Sequence, residues 1–250
     1  MKNFLFISCL FFGCLVWSNS FAQSTHQVGS TTLTETTLIS GINLPWEVLW
    51  GPDDHVWVTS RQGTVTRINP ETGSSSVVLS KSVMNGGSGE PGMLGMAMHP
   101  DWTNTPKVYL VYCSGSSFNG TEYLSSFDWN GSALVNEQQL LSLQAGGIHN
   151  GSRLLVLPDN TLLMTTGDTG DGGASSQNIA SLKGKILRVN LDGTVPSDNP
   201  IPGSYVYSYG HRNPQGICAG PGGVIYSSEH GQNTNDELNL IQPTRNYGWP

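Results

Sequence analysis

Short runs of apolar and β-branched residues alternate along this chain with turns built from Gly, Pro, Asp and Asn, and one unit recurs four times. The unit is an apolar run, a turn containing proline, and a second apolar or β-branched run. Its first copy runs from Trp46 to Trp50, turns at Gly51-Pro52-Asp53-Asp54, and continues through Val56 to Thr59. The second spans Met93 to Met98, the turn His99 to Trp102, and Val108 to Tyr112. The third spans Arg153 to Leu157, Pro158 to Asn160, and Leu162 to Thr165. The fourth starts at Ile217, turns at Pro221-Gly222-Gly223, and ends with Val224 to Ser227. Turn residues between β-prone runs predict hairpins. Their return at intervals of roughly 50 to 60 residues predicts a β-propeller, and a sandwich of similar hairpins is the competing all-β architecture. An amphipathic helix pattern of about 12 residues or more is missing, which argues against an α/β nucleotide-binding fold.

The ends of the pattern differ from its middle. Residues 1–22 carry Lys2, a nearly unbroken apolar stretch from Phe4 to Trp17, and the small residues Ser20 and Ala22 around Phe21. That arrangement predicts a secretory signal cut before Gln23. A retained anchor is the alternative, but the apolar core is short for a bilayer span. Nothing later predicts a stable membrane span, so the expected location is the periplasm or the medium. Residues 23–39 are Thr- and Ser-rich and read as a leader with an entering strand, ahead of a propeller domain over 40–250. Cleavage would remove Cys9 and Cys14 and leave Cys113 and Cys218, either as a disulfide or as two thiols.

Composition narrows the function classes. With 12% charged residues and 22 aromatic ones, the chain is too poor in charge and too rich in aromatics for disorder. Its net charge of −7 argues against a nucleic-acid partner. A neutral or cationic small substrate is allowed.

Three polar runs sit beside the strand patterns: residues 147–153 around His149, residues 210–216 around Arg212, and residues 228–233 around His230. Asp168 follows the strand Leu162–Thr165, and a hairpin could bring its carboxylate to the His149 ring. Such a pair fixes one tautomer and makes a general base. A turn histidine bonded to backbone, with Asp168 as a turn cap, accounts equally for the pattern. Arg212 and Asn213 suit a planar anion or a pair that stabilises their own loop. The carbonyls of Gly231 and Gln232 could serve a hard cation such as Ca²⁺. Asp236-Glu237 could be a second cation site or a solvated acidic turn. Gly-x-Ser-x-Gly and His-Glu-x-x-His motifs are both missing, and Gly86 to Gly89 lack the strand–helix context of a phosphate loop.

Taken in order, several runs resemble the soluble quinoprotein glucose/aldose (sorbosone) dehydrogenase family. They are Glu90 to Asp101, His149-x-x-x-Arg153, Lys183 to Gly193, Pro196 to Pro200, Gly210 to Gly216, Ser228 to Gly231, Asp236 to Ile241 and Asn246 to Pro250. The resemblance covers about residues 40–250. It implies a six-bladed propeller of which roughly the first four blades are here, and so an N-terminal portion that would not turn over alone. It also implies pyrroloquinoline quinone (PQQ) bridged to the protein by Ca²⁺. The activity implied is oxidation of an aldose or related alcohol, with electrons passed to an external acceptor. By position, His149 resembles the family's base and Asp168 its orienting carboxylate. Arg212 and Asn213 resemble cofactor contacts, with Arg212 also stabilising charge on the quinone. Gly231 and Gln232 resemble the calcium-binding carbonyls, and Glu90 a contact to substrate or cofactor. The chain departs from soluble glucose dehydrogenase at Ile148, where that enzyme has Asp, at Gln232, where it has Pro, and at Glu90, where it has Gln. The family's later basic residues that hold the PQQ carboxylates have no counterpart before residue 250. Two readings outside redox chemistry stand beside it: a non-catalytic propeller that binds a carbohydrate or protein, and a metal-dependent hydrolase or lactonase.

Overall fold

The computed structural model describes residues 24–84, 89–116 and 119–250. The predicted signal segment, Cys9, Cys14 and Gly86 to Ser88 lie outside the described residues. Two compact units separate at Ser40. In the first, β1 (Ser24–Val28) pairs antiparallel with β2 (Thr31–Glu35) about a turn at Gly29, so the leader carries a hairpin rather than a single entering strand. Every residue of both strands is exposed, because their Thr- and Gln-rich sequence offers no apolar face.

The second unit, Gly41–Pro250, is a row of antiparallel sheets. The first blade is β3 (Pro45–Trp50), β4 (Val56–Ser60), β5 (Thr64–Ile68) and β6 (Ser75–Ser80). The second is β7 (Met93–Met98), β8 (Lys107–Ser116), β9 (Asn119–Trp129) and β10 (Leu134–Ala145). The third is β11 (Gly151–Val156), β12 (Thr161–Thr166), β13 (Lys185–Asn190) and β14 (Val206–Tyr209). The fourth holds β15 (Pro214–Ala219), β16 (Ile225–Glu229) and β17 (Glu237–Ile241). Four sheets are arranged as blades around a common axis, as a partial six-bladed propeller requires. The sandwich is excluded, because four successive sheets pack in a row, each sharing a core with the next, rather than as one pair.

Each proline turn found in the sequence joins the first and second strands of a blade. At Pro158–Asn160, for example, Asp159 Oδ1 accepts the Thr161 N–H at 3.0 Å and Asn160 takes φ +62°, a conformation Asn tolerates. The uneven spacing has a plain cause: β9 and β10 are long, and the connection from β12 to β13 carries an 18-residue excursion with one short helix, α1 (Ala174–Gln177). The third and fourth strands of the blades carry no proline signal, and of these the sequence marks only the aromatic run Tyr205–Tyr209, which forms β14.

The cores lie between blades. Trp57, Val65, Met96 and Leu110 fill the space between blades one and two, with the Trp57 ring edge-on to Trp129 at 5.0 Å. Tyr109, Leu124, Leu154, Met164 and Leu187 join blades two and three, and Leu163, Ile186, Ile217 and Ile225 join three and four. Central strands such as β12 are buried on both faces, which explains the apolar runs in place of strict alternation.

Toward the axis the first strands of successive blades touch one another: β3 against β7, β7 against β11, and β11 against β15. Arg153 on β11 ties them. Its Nη1 lies 2.5 Å from Glu47 Oε2 on β3, its Nε donates to Gln215 O on β15 at 2.9 Å, and its guanidinium lies 3.9 Å from the Trp46 ring centroid. Burial raises the Glu47 carboxyl above its usual range, and the Arg153 charge opposes that without cancelling it. Between β7 and β11 the approach is closer than a side chain permits. A Cβ on Gly95 would stand 1.9 Å from Ser152 O. Gly95→Ala therefore forces two inner strands apart, and we expect a loss of about 3 kcal/mol or more, read as a lower urea midpoint at unchanged slope.

Candidate active site

Loops that precede a first strand, or that join second to third strands, emerge at one end of the blades. Glu90, His149, Asp168, Arg212 and Gly231 all belong to such loops. His149 sits in the turn before β11 with φ +55°. Its conformation is held from three sides. Its N–H donates to Glu90 Oε2 at 2.7 Å, its carbonyl accepts the Thr169 N–H at 3.0 Å, and its Nδ1 lies 2.7 Å from Asp168 Oδ1. Gly167 makes this approach possible, since a Cβ there would stand 2.0 Å from His149 O. The hairpin of β11 and β12 thus brings base and carboxylate together, and the ring bonds a carboxylate rather than backbone.

Asp168 is fully buried. Its Oδ1 also accepts the Gly170 N–H at 2.8 Å, and its Oδ2 accepts the Trp249 indole N–H at 2.9 Å. Burial pushes its carboxyl up, but the bonds from His149, Gly170 and Trp249 together hold it below the usual carboxylate range. An ionised Asp168 accepts the Nδ1 proton, which leaves the His149 Nε2 lone pair available. Among the described residues Nε2 meets no hydrogen-bonding partner. Asp168 also caps its own turn through Gly170, so both roles considered for it coexist.

Arg212 is positioned from behind by Glu229, whose part the sequence did not disclose. The buried Glu229 carboxylate accepts the N–H groups of Arg212 and Asn213, the latter at 3.1 Å, and lies 2.9 Å from His211 Nδ1. His211 is itself buried, bonded to Ser208 Oγ at 2.9 Å and stacked on Tyr247 at 4.5 Å. The Arg212 carbonyl accepts the Asp168 N–H at 2.8 Å, which joins the two halves of the site. Its guanidinium lies 5.5 Å from the Trp249 ring, Nη1 reaches His230 O at 3.5 Å, and Nε is buried with no partner among the described residues. Asn213 lies beside Arg212 with only its side-chain oxygen turned into the protein, Oδ1 accepting from Gly151 N at 3.1 Å and Gln215 Nε2 at 2.9 Å.

A cavity of about 330 Å³ opens beside Arg212, lined by Gly210, His230, Gly231, Gln232, Tyr247 and Trp249. The loop after β16 folds tightly there: a Cβ on Gly231 would stand 2.0 Å from Thr234 O, and the Gly231 N–H donates to Asp236 Oδ1 at 3.1 Å. The carbonyls of Gly231 and Gln232 accept no hydrogen bond from described residues. Among the described residues no group of three or more His, Cys, Asp or Glu side chains could hold a metal. Cys113 is buried and Cys218 exposed, and both are free thiols, so the disulfide alternative is not realised. No helix among the described residues is long and apolar enough to cross a membrane.

The sequence profile of the family "Glucose / Sorbosone dehydrogenase" matches residues 42–250. The chain belongs to that family. Over 248 residues it is 34% identical to quinoprotein glucose dehydrogenase B of Acinetobacter calcoaceticus, covering 85% of this chain and 51% of that protein. It is 28% identical over 222 residues to an aldose sugar dehydrogenase of Escherichia coli, covering 82% of this chain and 58% of that one. The chain therefore spans just over half the length of these relatives. The PQQ-bound aldose sugar dehydrogenase of Streptomyces coelicolor superposes with a TM-score of 0.77 at 37% identity, over 92% of this chain and 67% of that one.

Trp249, Glu229 and His211 are the residues that sequence reasoning missed. Each lay inside a family run, but its partner is 16 or more residues away in the chain, and nothing local names it. The buried, hydrogen-bonded Asp168 carboxylate implies a stability signature. The folded pKa of Asp168 lies below its ordinary value of 3.8, so its contribution is present above that pH and is lost as pH falls through the folded pKa. Asp168→Asn should cost about 1–3 kcal/mol at neutral pH. The gap from wild type should close in acid, as read by denaturation midpoints across pH.

Proposed function

We propose that the protein is a PQQ-dependent dehydrogenase that oxidises an aldose sugar or related alcohol and passes the electrons to an external acceptor. The observation that carries this is the His149–Asp168 pair at 2.7 Å, joined through Trp249 to a cavity with a buried, unpartnered Arg212 Nε. Relatives named as quinoprotein and aldose sugar dehydrogenases, one solved with PQQ bound, support it. The residues fit the cofactor. Arg212 offers a forked donor to a planar, oxygen-rich anion, and Trp249 and Tyr247 offer aromatic walls. The Gly231 and Gln232 carbonyls are hard oxygens of the kind Ca²⁺ accepts, with the remaining positions left to cofactor and water.

When bound, the Ca²⁺-polarised quinone supplies the hydride acceptor. The chain's own residues do the rest. His149 Nε2 takes the substrate hydroxyl proton as the carbon-bound hydrogen leaves with its electron pair. Asp168 keeps the ring in the required tautomer and steadies the imidazolium formed. Arg212 would hold the cofactor and offset negative charge there. Glu90 steadies the base through the His149 N–H with one carboxylate oxygen, and its other oxygen would serve the contact to substrate or cofactor. Asn213 would contribute through its amide nitrogen, since its oxygen is taken. Ile148, exposed beside His149, replaces a polar wall with an apolar one. We place the protein in the periplasm or outside the cell, on its predicted signal segment.

The test is dye reduction by the full-length protein with added PQQ and Ca²⁺, over a panel of aldoses and simple alcohols. Turnover should require both additions, and His149→Ala should lower kcat by about 10²–10⁴-fold. Failure to bind PQQ on titration would overturn the reading in favour of a carbohydrate- or protein-binding propeller.

A further inference from the structure

Outside the polar site the structure buries one more acid with nothing obvious to do. Glu122 lies on β9 of the second blade and reaches the first strand of the third. Its Oε1 is 2.7 Å from Ser152 Oγ, and its Oε2 is buried with no partner among the described residues. No cation bonds it. The residue opposite it on β8, Cys113, is its titratable neighbour, and burial pushes that thiol well up.

What Glu122 touches is the strained start of β11. Ser152 has φ +80°, a left-handed state that a non-glycine residue keeps only when its surroundings enforce it. His149 shares that state three residues earlier. Between them Asn150 clamps the turn, its Oδ1 accepting Gly146 N–H at 2.8 Å and its Nδ2 donating to Gly146 O at 3.0 Å. The Asn150 carbonyl lies 3.3 Å from Ser152 Oγ. The line from Glu122 through Ser152 and Asn150 thus ends at the turn that carries His149.

We propose that Glu122 is a positioning residue: through its bond to Ser152 Oγ it holds Ser152 in its left-handed state and, through Asn150, fixes the turn that presents His149. This deepens the reading of His149 as the base and rests on it. The chemistry follows from one shared hydroxyl. With the acid neutral, its proton lies on the bond to Ser152 Oγ, and the Ser152 hydroxyl proton is free for Asn150 O. On ionisation the hydroxyl must turn to the carboxylate and the Asn150 bond is lost. Burial, only partly opposed by the Ser152 bond, pushes the Glu122 carboxyl up to about 8, so the neutral form prevails at neutral pH and is lost above it. Glu90 on the His149 N–H and Asp168 on its ring face the same turn, and a comparison of variants separates their titration from that of Glu122.

The experiment follows the full-length protein by infrared difference spectroscopy and amide NMR as pH is raised, without cofactor. We expect a protonated-carboxyl band that disappears with a midpoint near pH 8, and His149 and Asn150 amide signals that move with the same midpoint. Glu122→Gln should abolish both changes. Ser152→Ala should keep the infrared change and lose the amide response, which preserves the test if the first variant does not fold. An acid already ionised at neutral pH, amides indifferent to the infrared transition, or an unchanged amide transition in either variant would overturn the proposal. None of these outcomes bears on PQQ binding, so the dehydrogenase reading stands or falls separately.

Discussion

Arg153 leaves the first strand of the third blade and reaches two others, Glu47 on the first and Gln215 on the fourth. Everything at the functional end depends on the spacing it helps to set. Inner strands carry the loops that converge there, and a displacement of one by an ångström would part groups that meet at 2.7 Å. The ion pair is mostly buried, so its Coulomb gain is partly cancelled by desolvation, as the raised Glu47 pKa indicates. Its value lies in geometry. A forked guanidinium stacked on Trp46 accepts partners in few orientations, and apolar packing alone would not fix the angle between blades so narrowly.

The polar site uses the same device at shorter range. Buried carboxylates act as hubs, each joining segments distant in sequence. Asp168 gathers His149, Gly170 and Trp249; Glu229 gathers His211, Arg212 and Asn213. A buried carboxylate is tolerable only when donors surround it, so each hub enforces its own arrangement. Asp168 is satisfied and held ionised. Glu122, with one partner, is held neutral. The contrast between two buried acids near one histidine comes from donor count together with the heavier desolvation of Glu122.

Lys185 shows the same logic with the sign reversed. Its ammonium is buried at the start of β13 and donates to the carbonyls of Lys183, Ser175 and Ser176, which pins α1 beside the site. Burial lowers its pKa to about 8. The family run Lys183-Gly-Lys185 proves to be an internal tie between the β12–β13 excursion and the blade beneath.

The sequence by itself determined the repeating hairpins, because Pro-Asp and Gly-Pro turns act within a few residues and need no distant partner. It also marked the polar runs around His149, Arg212 and His230, because their residue types stand out beside the strand patterns and their order resembles the family. Third and outer strands other than β14 stayed hidden, because no proline turn marks them and outer strands such as β6 and β10 are largely exposed and carry no long apolar run. Tertiary structure alone decided who meets whom: that Trp249 closes the far oxygen of Asp168, that Asn213 spends its oxygen on Gly151, that Glu229 stands behind Arg212, and that the two cysteines never meet. Those pairings depend on the angle and spacing of whole blades, which interblade packing sets and no local pattern in the chain encodes.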